Sequence, residues 1–97
     1  MELSAQEIEQ IRFFFTDKPV KKVYLFGSYA RGEADESSDI DLLIDWDYSK
    51  IVGFDYVMWW EEIKEILHKE VDFVSIKYVS PLIENEVNSD KVLIYEA

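Results

Sequence analysis

A few residue types at fixed spacing could carry chemistry in this chain. Gly27 and Ser28 close the apolar run Val23-Tyr24-Leu25-Phe26, Asp39 and Asp41 follow two residues apart, and Asp72 sits inside the apolar run 71–76. A Gly-Ser pair directly after a buried strand presents backbone N–H groups and a hydroxyl at the start of a helical turn, a geometry suited to phosphate oxygens. Glycine at 27 lets the chain turn sharply and lets a ligand approach the backbone. Arg31, one turn later, could add its charge to the same phosphates or to the neighbouring acidic strand. Asp39 and Asp41, spaced by two on a strand, project from one face about 7 Å apart along the chain. Two such anions brought to 4 Å repel by about 1 kcal/mol in water and about 4 kcal/mol at an effective dielectric of 20, so their convergence asks for a cation. A hard divalent ion such as Mg²⁺, held by a few carboxylates and substrate phosphates, meets that demand. If strand 71–76 lies beside 39–46, Asp72 joins the pair, and three carboxylates beside a phosphate-binding turn are equipped for in-line nucleotidyl transfer.

These residues need a scaffold, and the pattern supplies one. Ser4-Ala-Gln-Glu7 is a capping box that opens a helix, with Ile8, Ile11 and Phe15 at helical spacing until Asp17-Lys18-Pro19 stops it. Val23–Phe26 predicts a first strand, 28–32 a turn or short helix, and Asp39–Trp46 a second strand. In that second strand Ile40, Leu42, Ile44 and Trp46 share one side, and Asp39, Asp41, Leu43 and Asp45 the other. A longer helix is expected from about Phe54 to His68, with Tyr56, Trp59, Trp60, Ile63, Ile66 and Leu67 on its apolar side. Val71–Ile76 predicts a third strand, Ser80-Pro81 an N-cap and first-turn proline before a short helix, and Val92–Tyr95 a final strand. The expected fold class is α+β, two layers in which helices cover one small mixed sheet, with residues 1–97 forming a single domain.

Composition narrows the functions. Acidic residues outnumber basic ones 21 to 10, for a formal charge of −11, which argues against direct nucleic-acid binding over most of the surface. The charge is uneven: residues 1–31 balance to +1, whereas 32–97 carry 17 carboxylates and five lysines. Carboxylates beyond the three candidate ligands suit a basic protein partner. Cysteine is absent, which excludes disulfides and thiolate metal sites and fits a reducing compartment. The start MELSAQEIEQ lacks a basic segment followed by an apolar one, and no stretch reaches the roughly 20 apolar residues of a membrane span, so a soluble, cytoplasmic chain is expected.

The segment Gly-Ser-Tyr-Ala-Arg-Gly at 27–32, ten residues between Ser28 and Asp39, and Ser-Asp-Ile-Asp-Leu-Leu-Ile at 38–44 resemble the DNA polymerase β-like nucleotidyltransferase superfamily, most of all its minimal nucleotidyltransferase (MNT) branch. Four fixed residues at this spacing arise by chance in so short a chain on the order of once in a thousand, from average residue usage. The resemblance extends to Val71-Asp72-Phe-Val and Val92-Leu-Ile-Tyr-Glu, and so covers nearly the whole chain. It implies a nucleotidyltransferase fold that binds ATP and Mg²⁺. Gly27 and Ser28 would hold the triphosphate, Asp39 and Asp41 would ligate metal, and Asp72 would ligate metal and act as base. Arg31 would either touch the nucleotide or brace the turn. Many small proteins of this branch pair with a HEPN-domain ribonuclease toxin as its antitoxin, in some cases by transferring AMP to a tyrosine of the toxin. The resemblance therefore implies a protein adenylyltransferase. Two other readings stay open: an antitoxin that neutralises the HEPN toxin by binding alone, and transfer to RNA or a small molecule, for which no acceptor-binding domain or basic groove is visible.

Other conspicuous residues have structural explanations. Asp45 and the run Glu33, Asp35, Glu36 read as solvated surface, and His68 as a helix-end residue outside the site. Trp59 and Trp60 fall on the apolar stripe and are expected in the core. Phe13, Phe54, Val57 and Met58 point away from it, either as an apolar partner patch or against a loop.

Overall fold

The computed structural model describes residues 2–50 and 55–97. Helix α1 spans Ala5–Phe15, and its N-terminus is the capping box: Glu7 N–H donates to Ser4 Oγ at 3.1 Å while Ser4 N–H donates to Glu7 Oε1 at 3.0 Å. The chain then enters β1 (Val20–Phe26), the one-turn helix α2 (Ser28–Arg31), β2 (Ile40–Trp46) and α3 (Asp55–Leu67). After β3 (Val71–Ser75) come a 3-10 turn (Ile76–Tyr78), α4 (Glu84–Asp90) and β4 (Val92–Glu96). The sheet is mixed, in the order β3-β2-β1-β4, with β1 antiparallel to both β2 and β4 and β2 parallel to β3. The α+β expectation of helices on a small mixed sheet is met.

Alternation along the central strands divides the sheet's two faces. Ile40, Leu42, Ile44 and Trp46 are buried under α1 and α3, in one cluster with Ile11, Phe15, Ile63 and Leu67. On the other face Leu43 packs with Phe26 and with Val87 of α4. Burying one such side chain contributes about 1.5–3 kcal/mol, so the two faces fix β2 in register, and any one-residue slip would turn Asp41 into the core. Helix α3 is tied to β3 by two hydrogen bonds to backbone: Tyr56 Oη donates to Phe73 O at 3.1 Å, and Trp60 Nε1 to Val71 O at 2.5 Å.

Four expectations are corrected. Strand β1 begins at Val20, because Val20 is buried and pairs with Trp46, and the ladder resumes at Lys22, opposite Asp45, after an irregularity at Lys21. Asp39 precedes β2 instead of opening it, since the first ladder partner is Ile40. Ser80 and Pro81 do not start α4. Ile83 N–H donates to Ser80 O at 3.1 Å in a turn, and the helix follows at Glu84. Ile66 is 41% exposed although it falls on the stripe, because the sheet covers a narrower arc of α3, centred on Ile63 and Leu67. No helix among the described residues is long and apolar enough to cross a membrane.

Candidate active site

The sheet register assembles the site around Asp41. On one side Asp41 is opposite Phe26, the last residue of β1, and on the other it is opposite Asp72 of β3. The turn that follows Phe26 therefore lies beside it. Gly27 has φ +76°, and a Cβ at that position would overlap the Asp41 carboxylate. The positive φ favours glycine there, and any Cβ would displace the Asp41 carboxylate. Ser28 then starts α2, whose first N–H groups have no acceptor within the helix. Gly32 ends the helix in a left-handed conformation, φ +74°.

The carboxylates crowd one another. Burial, the negative charges of Asp72 and Asp39, and a hydrogen bond with Asp72 raise the Asp41 pKa to about 6, offset in part by Arg31. A proton on Asp41 relieves repulsion that a divalent cation would relieve more fully. The donor set is all hard oxygen, so the residues fit Mg²⁺. Asp39 is exposed, near enough to act on Asp41 through charge. Among the described residues no three acidic or imidazole groups stand as a ready-made ion cage; the structure brings Asp41 and Asp72 into side-chain contact and leaves Asp39 beside them.

Arg31 serves as a brace in this structure. Its Nη1 lies 2.5 Å from Asp90 Oδ2 and 3.7 Å from Glu86 Oε1, and its Nε 3.2 Å from Glu33 Oε2. Hydrogen bonds to Asp90 and then to Glu33 raise its pKa further. The guanidinium thereby links α2 to α4, and a cleft of about 260 Å³ opens between them, lined by Phe26, Gly27, Ser28, Arg31, Asp41, Ile83, Glu86, Val87 and Asp90. The α4 residues were missed by sequence reasoning. Their signal was the spacing of four between Ile83 and Val87 and between Glu86 and Asp90, which is hard to interpret before one knows that α4 faces the Gly27 turn.

Two further cavities adjoin the site. One, about 670 Å³, includes Asp39, Lys64, His68 and Lys69 but none of Gly27, Asp41 and Asp72. A third, about 300 Å³, is lined by Tyr56, Val57, Trp60, Asp72 and Phe73. Trp59 and Trp60, both expected in the core, are both half-buried: Trp59 stacks on Trp46 at 5.7 Å between ring centroids and packs against the core, whereas Trp60 lines the third cavity. Phe13, Val57 and Met58 are exposed at 79%, 53% and 56%, and Phe54 lies outside the described residues.

Comparison with known proteins shows the family and the fold. Residues 9–97 match the family model described as "Polymerase beta, Nucleotidyltransferase". A Methanocaldococcus jannaschii relative, provisionally named a protein adenylyltransferase, is 38% identical over 73 residues, covering 75% of this chain and 77% of its own. A chain of a solved toxin-antitoxin crystal structure with AMP-PNP superposes with a TM-score of 0.77 at 21% identity, over 93% of this chain and 73% of that one. A chain from the complex of a tri-AMPylated Shewanella oneidensis HEPN toxin with its MNT antitoxin gives a TM-score of 0.71 at 18% identity, over 95% and 71%. These two structures share the fold.

Proposed function

This chain belongs to the polymerase beta nucleotidyltransferase family, and from that premise we propose that it transfers AMP from Mg²⁺-ATP to a tyrosine hydroxyl of a cognate HEPN-domain toxin, as the antitoxin of the pair. The observation that carries the reading is the register that places Asp41 between the Gly27 turn and Asp72. The AMP-bearing toxin belongs to the Shewanella oneidensis complex, and the shared fold supports the same class of acceptor here.

In this reading Gly27 and Ser28 hold the triphosphate through backbone N–H groups and a hydroxyl. Asp39, Asp41 and Asp72 would hold Mg²⁺, which when bound would offset their charge and polarise the α-phosphate. Asp72 accepts the acceptor's proton as its oxygen attacks the α-phosphorus; the bond from that phosphorus to the bridging oxygen breaks and pyrophosphate leaves. One phosphodiester forms and one phosphoanhydride is lost.

The test is to incubate the chain with α-labelled ATP, Mg²⁺ and the HEPN-domain partner, then repeat with Asp39→Asn and Asp41→Asn together. Label should appear on the partner's tyrosine and fall by at least about a hundredfold in the double variant. Transfer that survives both substitutions overturns the assignment. A double variant that still protects cells from the toxin in full would mean that neutralisation proceeds by binding alone.

A further inference from the structure

Asp41 and Asp72 face different cavities although their carboxylates touch. Asp41 lines the cleft of Gly27 and Ser28, and Asp72 lines the cavity of Tyr56, Val57, Trp60 and Phe73. We infer that this second cavity is the acceptor subsite, an aromatic slot that seats the ring of a partner protein's tyrosine with its hydroxyl at Asp72. The inference rests on the transfer reaction proposed above and adds where the acceptor binds and what selects it.

In-line displacement needs the attacking oxygen to enter opposite the leaving pyrophosphate. With the triphosphate on the Gly27 side of the carboxylate pair, the open approach is from the Asp72 side. Asp72 stands on β3, an edge strand, and its side of the sheet is accessible. The slot offers apolar walls and one carboxylate. Its complement is a side chain with an apolar ring and a terminal hydroxyl. Serine and threonine could reach the carboxylate but would leave the walls unfilled. The rings are already fixed, because Tyr56 Oη donates to Phe73 O at 3.1 Å and Trp60 Nε1 to Val71 O at 2.5 Å. Both ring donors are thus occupied, and among the described lining residues Asp72 is the group left to receive an incoming hydroxyl. Val57 at the slot and Met58 next to it in sequence are more than half exposed, an apolar approach suited to a protein surface carrying the tyrosine.

The experiment uses the full chain labelled with ¹⁵N, titrated with N-acetyl-tyrosinamide, N-acetyl-serinamide and N-acetyl-leucinamide, and separately with ATP and Mg²⁺. The tyrosine amide should shift the Trp60 indole N–H and the Val57 and Phe73 amides, and the serine and leucine amides should not. Val57→Glu, on an exposed position that leaves the core intact, should weaken the tyrosine amide by at least about tenfold by placing a charge in an apolar wall. ATP-induced shifts at Gly27 and Ser28 should persist in that variant. Shifts elsewhere or nowhere, or equal shifts from the leucine amide, overturn the slot. If the tyrosine amide binds as described while ATP leaves Gly27 and Ser28 unmoved, the slot stands and the transfer reaction fails.

Discussion

Gly27 and Asp41 compete for one volume: any side chain on Gly27 would overlap the carboxylate of Asp41, which reaches it from the neighbouring strand. The glycine of the β1–α2 turn and the first aspartate of β2 are therefore one packing unit, although 13 intervening residues separate them in sequence. In the proposed reading, closeness of this kind would let one metal-phosphate assembly be held by both.

Gly27→Ala should accordingly damage stability and ligand binding together. Its backbone has φ +76°, a region that costs a side chain about 1–3 kcal/mol, and the new methyl would push Asp41 aside. Urea unfolding should register a loss in that range. Calorimetry with a non-hydrolysable ATP analogue and Mg²⁺ should show binding weakened by at least about tenfold, and unchanged binding would separate the glycine from the nucleotide.

Asp41 gives the metal-free protein a distinctive pH dependence. Its folded-state pKa is raised to about 6, so between the ordinary aspartate value near 4 and that value the folded chain holds more protons than the unfolded one. Stability lent by the proton is complete at the low end of this window and is lost as pH rises through about 6. Asp41→Asn has no such loss. The variant should match the parent near pH 4 and exceed it by on the order of 1 kcal/mol at pH 7 to 8, a figure reduced by the water that reaches a half-buried carboxylate. Thermal unfolding in EDTA across this range checks the sign, and a parent that gains on Asp41→Asn as pH rises refutes it.

Mg²⁺ with ATP should reverse that penalty. Binding to the folded chain alone stabilises it by about 2.7 kcal/mol at 100 times the dissociation constant. The melting temperature of the parent should rise with the Mg²⁺-nucleotide concentration. In the variant with Asp39→Asn and Asp41→Asn the rise should largely disappear, and an undiminished rise would place the metal on other groups.

Asp90→Asn should loosen α4 by removing the partner 2.5 Å from Arg31. Arg31 is accessible to solvent, so global stability should change little. Hydrogen exchange should speed up at Val87 and Lys91, whose amides close this helix, while Ile44 in the sheet keeps its protection. Equal acceleration at all three would mean that Arg31 braces the fold as a whole and not α4 in particular.

Much of the site was legible because it is local. The Gly-Ser turn, the aspartates spaced by two, the capping box and the alternation of β2 each depend on neighbours within a few residues. The start of α4 was misplaced because Ser80 and Pro81 are as good in a turn as in a cap, and only the packing of Val87 on Leu43 and Phe26 settles which. Trp60 was assigned to the core because its spacing matches that of Trp59. Periodicity marks a face but not the limit of its cover, and Trp60 falls where β3 ends the sheet.

By itself the sequence determined which atoms are available: a phosphate-suited turn, three carboxylates, and apolar strands and helices able to hold them. Tertiary structure decided which of those atoms meet. The parallel pairing of β2 with β3 sets Asp72 opposite Asp41 across 30 intervening residues, and the packing of α4 turns Arg31 toward Asp90. Such pairings depend on buried area and strand order summed over the whole sheet, quantities that no short window of residues contains.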